Sequence, residues 1–230
     1  MTTDGITGMS GAHSARVLAR DLRIAAIVGF LTGVLSIPVV INLGLDLSVP
    51  RVLWPVIAAV LFVIALFAAR LISRRRSSFF EFMKFALVGV MNTGVDFGLL
   101  NSLMLVTGVV SGAGFLAFKS VSITFGVINS YWWNKYWTFN AAQSRGARRE
   151  FVAFAVVTLL AVGLNVAGAA VIVNVIGAPR GIGVKLWANI GAISGAGLTL
   201  CTNFFAYKYF VFKRPSVALG LAADGTRNRN

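Results

Sequence analysis

The residues of this chain that could do chemistry are few, and the most unusual one lies inside an apolar segment. Asp96 is an acid within a long hydrophobic run, and Asn92 lies four residues earlier, on the same face if the run is a helix. A carboxylate near the middle of a membrane costs about 2.5 kcal/mol or more, so it usually faces a bundle interior and has a partner. Lys119, in the next apolar run, reaches a similar depth at about 1.5 Å of rise per residue. The sequence therefore predicts an Asp96–Lys119 ion pair, which either contacts a ligand or only fixes packing.

Two helical stripes mix polar with small side chains. The first is Lys119, Ser122, Gly126 and Asn129, and the second is Lys185, Asn189, Ala192, Ala196, Thr199 and Asn203. We favour close helix packing with interhelical hydrogen bonds, assisted by Gly94-x-x-x-Gly98 and Gly191-x-x-x-Gly195. The alternative is a hydrophilic seam for a polar ligand, since Asn both donates and accepts hydrogen bonds.

The elements that must position these residues are transmembrane helices. The chain of 230 residues is 57% hydrophobic and 12% charged, with a mean hydropathy of +0.82, which excludes an ordinary soluble fold. A bilayer needs about 20 apolar residues per helix, and six such runs occur, whereas the alternating segments of a barrel are absent. The predicted spans are 24–43, 52–70, 82–106, 115–137, 151–176 and 185–210. The sequence predicts an all-α membrane protein with six transmembrane helices.

Charge predicts the orientation of these helices. Lys and Arg number 21 against 7 Asp and Glu, a net charge of +14. In a soluble protein this balance would suggest nucleic acid, but here the basic residues flank apolar runs, which is typical of topology signals and of contact with membrane lipids. If both termini are in the cytoplasm, 17 of the 21 basic residues lie on the cytoplasmic side of the membrane. The four on the outer side are Arg51, Lys119, Arg180 and Lys185. We therefore predict cytoplasmic termini and no nucleic-acid partner, and we expect residues 1–20 and 215–230 to be disordered tails.

The last four spans form an internal repeat. One helix pair opens at Glu81-Phe82-Met83-Lys84-Phe85-Ala86 and the other at Glu150-Phe151-Val152-Ala153-Phe154-Ala155. The pairs close on Asn134-Lys135-Tyr136-Trp137-Thr138-Phe139 and Tyr207-Lys208-Tyr209-Phe210-Val211-Phe212. Because each copy has two spans, the copies are parallel, and a pseudo-twofold axis would run along the membrane normal.

Across about residues 79–214 the sequence resembles the GtrA-like family of small membrane proteins. The family pattern in the first half matches Phe82, Phe85, Gly89, Asn92, Asp96, Asn129, Asn134, Lys135, Trp137 and Phe139. In the second half it matches Phe151, Phe154, Asn165, Asn203, Lys208, Phe210 and Phe212. The second half departs from the first at three positions, where Thr158 replaces Gly89, Asn165 replaces Asp96 and Tyr207 replaces Asn134.

This resemblance implies a four-helix domain at 79–214, preceded by two additional transmembrane helices at 21–78. It also implies a role in bacterial cell-wall or surface polysaccharide synthesis, at the cytoplasmic membrane. The protein would be a flippase or translocation component for a polyprenyl-phosphate-linked sugar, or a scaffold that recruits a glycosyltransferase partner. An unrelated small-solute or ion carrier is a weaker third option. Four core helices are few for alternating access, so transport would need a homo-oligomer or the first two spans.

The candidate substrate-binding residues combine the polar seam with cations that could contact a lipid phosphate. They are Asn92, Asp96, Lys119, Asn129, Asn134, Lys135, Asn165, Lys185, Asn189, Asn203 and Lys208. Lys135 and Lys208 are the expected phosphate contacts on the cytoplasmic side, with snorkelling topology anchors as the alternative. No paired acids, P-loop or metal-ligand cluster occurs, so we expect a non-enzyme without cofactor or metal.

Overall fold

A computed structural model describes residues 4–45, 48–73, 77–142, 146–181 and 183–212. Within these ranges the regular structure is helical, with no strand. The six long helices are α1 (Asp4–Asn42), α2 (Trp54–Ile72), α3 (Ser77–Thr107), α4 (Gly112–Trp133), α5 (Ala147–Ala170) and α6 (Val184–Ala206). The predicted all-α membrane protein is confirmed.

Five segments of the described chain are long and apolar enough to cross a membrane. They are Ser14–Asn42, Arg51–Ile72, Ser78–Thr107, Gly112–Thr138 and Ala147–Ile176. Each contains most of a predicted span. The sixth predicted span, 185–210, coincides with α6 but is not among the five, so its crossing stays a prediction.

The N-terminal segment differs from the expected disordered tail. Helix α1 begins at Asp4, so residues 4–20 are helical. No Gly or Pro occurs between Gly11 and Gly29, and this stretch is rich in Ala, Arg and Leu, which favour helix. The expected C-terminal tail, 215–230, lies outside the described residues.

The chain divides into two compact units, residues 1–138 and 139–230. The first unit contains α1 to α4, so the two additional helices pack with the first repeat, and the expected division at 78/79 is not a boundary between packing units. Its core takes Ala25 and Val28 from α1, Leu66 from α2 and Val88 from α3, all fully buried.

Contacts between α1 and α3 recur along the length of both helices. A Cβ atom placed on Gly98 would lie 2.6 Å from the Leu35 carbonyl oxygen, so the backbones meet closely there. Toward the C-terminal ends, the Asn42 amide donates to the Asn101 backbone and side-chain oxygens at 3.0 and 2.9 Å. Polar and small residues thus fix the position of α1 on α3.

A buried charge cluster ties the middle of α1 to α3 and to the segment that follows α4. The Asp21 carboxylate lies 3.5 Å from Lys84 Nζ and accepts a 3.2 Å hydrogen bond from the Trp137 indole N–H. Lys84 Nζ also donates to the Trp137 carbonyl oxygen at 3.1 Å. All three residues are buried, so each charge is compensated within the protein.

The two repeat endings share a local backbone form. Helix α4 continues as a π-helical segment over Asn134–Thr138, and α6 continues as one over Tyr207–Val211. These segments coincide with the two matched endings. A third π-helical segment, Val171–Ile176, extends α5. Single-turn π segments often lie at functional sites, and here two of them contain the terminal aromatic and Lys residues of the repeats.

The close approach at Gly98 predicts a position-specific effect on stability. Gly98→Ala should lower the free energy of unfolding by about 1–3 kcal/mol, because the methyl group would overlap Leu35. Gly89→Ala, on the same helix, is the matched control, since a Cβ there meets nothing within 4 Å and should raise stability by up to about 1 kcal/mol. Thermal unfolding in detergent measures both. Equal effects of the two substitutions would contradict the packing.

The Asp21 cluster predicts an asymmetric pair of substitutions. Asp21→Asn should destabilise the protein by about 3 kcal/mol, because it leaves the Lys84 ammonium buried without a counter-charge. Adding Lys84→Met should recover at least half of the loss. Arg16→Gln, on the exposed surface of the same helix, is the control. Additive losses in the double variant, measured by thermal unfolding, would show that the two charges do not interact.

Candidate functional site

The predicted Asp96–Lys119 pair is present and joins α3 to α4. Lys119 Nζ lies 2.9 and 2.7 Å from the two carboxylate oxygens. Ser122 donates a 2.6 Å hydrogen bond to Asp96 Oδ1. The Lys119 ammonium also lies 5.1 Å from the centre of the Phe97 ring. The two charged side chains remain 31% and 23% exposed, so the pair is reachable from one side of the helix pair.

Two amides lie next to this pair. Asn92 is one turn before Asp96 on α3. The Asn92 side chain faces Gly126 of α4, because a Cβ atom placed on Gly126 would lie 3.5 Å from Asn92 Oδ1. Asn129 is three residues beyond Gly126, where side chains on one helix face are about 5–6 Å apart. We call the group the α3–α4 seam; it consists of Asn92, Asp96, Lys119, Ser122, Gly126 and Asn129.

The two amides of the seam each have a buried polar atom without a hydrogen-bond partner. These atoms are Asn92 Oδ1, an acceptor, and Asn129 Nδ2, a donor. The Trp133 indole N–H, which can only donate, binds Asn129 Oδ1 at 3.1 Å. This contact fixes the orientation of the Asn129 amide, so its NH₂ group is directed away from Trp133. The seam therefore presents an acceptor and a donor that the protein leaves unused.

Asn134 and Lys135 lie in the π segment that follows α4. Asn134 donates to the Ser130 carbonyl at 2.8 Å, while its Oδ1 is buried without a partner. Lys135 is buried, with Nζ 3.2 Å from the Tyr131 hydroxyl. Lys135 is as buried as Lys84, and its ammonium is held against aromatic rings at the end of a membrane span, so either proposed role would require the side chain to turn outward.

The second unit arranges its predicted site residues differently. Asn165 faces Gly195, where a Cβ would lie 2.7 Å from the Asn165 carbonyl oxygen and 2.9 Å from its Oδ1. Asn203 Oδ1 is buried without a partner. Lys208 Nζ lies 5.6 and 5.8 Å from the ring centres of Phe204 and Tyr209. The close approach at Gly195 supports the packing interpretation of this stripe. The side chains of Lys185 and Asn189, which are on α6, lie outside the described residues.

Tyr207 and Thr158 are a contact that sequence reasoning missed. Their hydroxyl oxygens are 2.6 Å apart, and the Tyr207 ring stacks on Phe154 at 4.5 Å. Both residues depart from the first repeat, where Gly89 and Asn134 occupy the matching positions. Two departures within one copy are the signal that could have revealed this contact, since paired changes often compensate each other.

The Asp21 cluster was also missed, and it changes the role of Lys84. From its position near the start of an apolar run, Lys84 would be expected to meet a lipid phosphate or solvent, but this ammonium is buried and bound to Asp21 and Trp137. The depth comparison that paired Asp96 with Lys119 could have found this pair too, because Asp21 and Lys84 both lie near the starts of their apolar runs. Lys84 is thus a structural charge.

The chemistry available to the seam is hydrogen bonding and charge pairing. The described residues contain no group of three or more His, Cys, Asp or Glu that could hold a metal ion. Amide, hydroxyl and ammonium groups at membrane depth suit a ligand that carries several hydroxyl groups.

Comparison with known proteins places these features in a family. The model described as "GtrA/DPMS, transmembrane domain" matches residues 84–212, more than half of the chain. An uncharacterized membrane protein, YngA of Bacillus subtilis (strain 168), is 34% identical over 82 residues, which is 36% of this chain and 51% of the relative. The chain thus spans about half the length of that relative. No solved structure matches significantly. The match includes α3 to α6 and begins after α1 and α2, and the chain belongs to the GtrA/DPMS transmembrane-domain family.

Proposed function

We propose that the protein moves a polyprenyl-phosphate-linked sugar across the bacterial cytoplasmic membrane, as a flippase or as part of a translocation machinery for cell-wall or surface polysaccharide synthesis. Membership of the family supports a role with such lipids. The observation that carries the proposal is the α3–α4 seam, which places an ion pair and two amides with unused polar atoms inside a membrane-spanning helix pair.

The proposed division of labour follows the chemistry of the substrate. The sugar head group would meet the seam, because hydroxyl groups match Asn, Ser and charged side chains. The isoprenoid tail would stay in lipid, against the apolar outer surfaces of the helices. The phosphate would be held by Lys135 and Lys208, whose ammonium groups lie at the ends of the two repeats. The protein itself would be a non-enzyme with both termini in the cytoplasm, as the charge distribution predicts.

A second candidate function is a scaffold that recruits a glycosyltransferase. It is favoured by the number of bonds that Asp96 already has: Lys119 and Ser122 together engage both carboxylate oxygens. A group bound in this way can act as a link between helices without touching a substrate. Under this alternative, function would survive neutralisation of the pair and would depend on a contact surface.

Reconstitution separates the two functions. Vesicles that contain the purified protein should expose a labelled polyprenyl-phosphate sugar on the opposite leaflet at least about ten times faster than protein-free vesicles, because the seam shields the head group from lipid. The rate is followed by chemical quenching of the label. No acceleration would contradict the flippase proposal and leave the scaffold.

The phosphate contact is tested in the same vesicles. Lys208→Ala should slow exposure several-fold, and Lys208→Arg should retain most of the rate, since it keeps the charge. Lys135→Ala should also slow exposure, with correct insertion checked by protease accessibility. Unchanged rates in Lys135→Ala and Lys208→Ala proteins that insert correctly would support topology anchors instead.

The ion pair is tested by a double-mutant cycle. Asp96→Asn and Lys119→Gln should each slow exposure, and the double variant should lose less than the sum, with a coupling of about 1 kcal/mol because each single change leaves a charge in the membrane without its counter-charge. The same cycle in thermal unfolding is the control. Coupling in stability without any effect on transport would favour the scaffold.

A further inference from the structure

The two repeats can be compared position by position, because their starts and ends are matched. Phe85 matches Phe154, so residues of α3 correspond to residues 69 positions later in α5 (154 minus 85). Lys135 matches Lys208, so residues of α4 correspond to residues 73 positions later in α6 (208 minus 135). In this register α3 corresponds to α5 and α4 corresponds to α6. Each residue of the α3–α4 seam can therefore be compared with the residue at the matching position of the second unit.

At the level of the ion pair, the second unit has no charge. Asp96 and Ser122 correspond to Asn165 and Gly195, and Lys119 corresponds to Ala192. In the first unit, side chains bridge the helices. In the second, Gly195 allows the helix backbones to approach so closely that a Cβ would lie 2.7 Å from the Asn165 carbonyl oxygen.

At the level of the two amides, the matching positions of the second unit hold no amide, and the nearest one is Asn203, one position further along α6. Asn92 and Asn129 correspond to Ala161 and Thr202, and Gly126 corresponds to Thr199. The Thr199 hydroxyl lies 3.1 and 3.0 Å from the carbonyl oxygens of Ala161 and Gly195, so its hydrogen-bonding capacity is used by backbone.

At the end of each unit, an aromatic ring distinguishes the two. Gly89 and Asn134 of the first unit correspond to Thr158 and Tyr207 of the second. A Cβ on Gly89 would meet nothing within 4 Å, whereas Tyr207 is buried against Phe154 and bonded to Thr158. At this position the second helix pair has a buried ring contact that the first lacks.

Unused hydrogen-bonding atoms follow the same division. Among described side chains of the second unit, Asn203 Oδ1 is the one buried polar atom without a partner, and no unused donor accompanies it. The first unit has both an unused acceptor, Asn92 Oδ1, and an unused donor, Asn129 Nδ2, on neighbouring positions of the seam. Hydroxyl groups can both donate to an acceptor such as the first atom and accept from a donor such as the second.

We infer that the first repeat alone binds the head group, with Asn92 and Asn129 as hydrogen-bonding partners of sugar hydroxyl groups beside the Asp96–Lys119 pair, while the second repeat is a packing unit. This inference rests on the proposed function and specifies its site: one hydroxyl-bearing head group per chain, read by two amides. Tyr207 and Gly195 exclude an equivalent site between α5 and α6.

Binding to the full chain in nanodiscs tests the inference. The probes are farnesyl phosphates that carry a hexose or a pentose, and farnesyl phosphate without sugar. Asn92→Leu and Asn129→Leu should weaken binding of the preferred sugar-bearing probe by roughly 3- to 10-fold, as expected for one lost hydrogen bond. Binding of the sugar-free probe should not change. Thr199→Val is the matched control. It is a near-isosteric change at the α6 position that corresponds to Gly126, and it should leave the affinities for both probes unchanged.

The melting temperature without ligand is a second readout. Replacing an amide that supports the fold would lower it, whereas replacing an amide kept for a ligand would not. Because Asn92 Oδ1 is buried and unbonded, Asn92→Leu should leave the melting temperature unchanged or raise it. A fall of several degrees would mean that the amide supports the fold, and would overturn the inference.

The outcomes distinguish this inference from the function on which it rests. One contrary outcome is a wild-type protein that binds the sugar-bearing probes no more tightly than farnesyl phosphate. Another is a Thr199→Val protein whose affinity for the sugar-bearing probe falls as much as that of Asn92→Leu. In either case the site is wrong and the proposed function stands. If an ordered water occupies the amides and sugar affinity is the same in Asn92→Leu, the inference is likewise overturned. If no farnesyl phosphate binds, both the function and the site are contradicted.

Discussion

In a bilayer, a charged side chain must find its partner within the protein, and α3 meets this constraint on two sides. Lys84 is neutralised by Asp21 of α1, and Asp96 is neutralised by Lys119 of α4. The two contacts lie about three turns apart on one helix. Helix α3 therefore joins the additional helices to the family domain, and this is why the first packing unit includes α1 and α2 although the family match begins at residue 84.

The parts of this architecture that could be predicted from sequence are those governed by strong, local energies. Long apolar runs must be helices in lipid, so α1 to α5 were predictable, and a lone acid in such a run needs a cation, so Asp96–Lys119 was too. The attachment of α1 to α3 was not predictable, because it depends on which helix faces which. The early start of α1 was missed, although the composition after Gly11 favours helix. Tyr207–Thr158 and the π segments depend on side-chain fit within a unit, for which hydrophobic periodicity carries no signal.

Duplication provides a physical reason for the divergence of the two repeats. Two identical helix pairs would place two intramembrane ion pairs in one chain, and each would carry a cost of desolvation that packing must offset. The second unit has close glycine contacts at Gly195 and Gly191 instead of an ion pair, which avoids that cost and allows close helix packing. The matched endings of both units carry a lysine at the same position, Lys135 and Lys208, within a π-helical segment.

This division bears on the choice between transport and scaffolding. A single polar seam can guide a head group only if the ligand, and not the protein, completes its hydrogen bonds, and the unused atoms of Asn92 and Asn129 meet that condition. The ion pair beside them is already complete and needs no ligand. A purely structural seam would be expected to satisfy its amides as well as its charges, because an unbonded buried amide reduces stability without any gain in packing. Asn134 Oδ1 and Asn203 Oδ1 are also buried without a partner, so what sets the seam apart is an unused acceptor and an unused donor beside one ion pair.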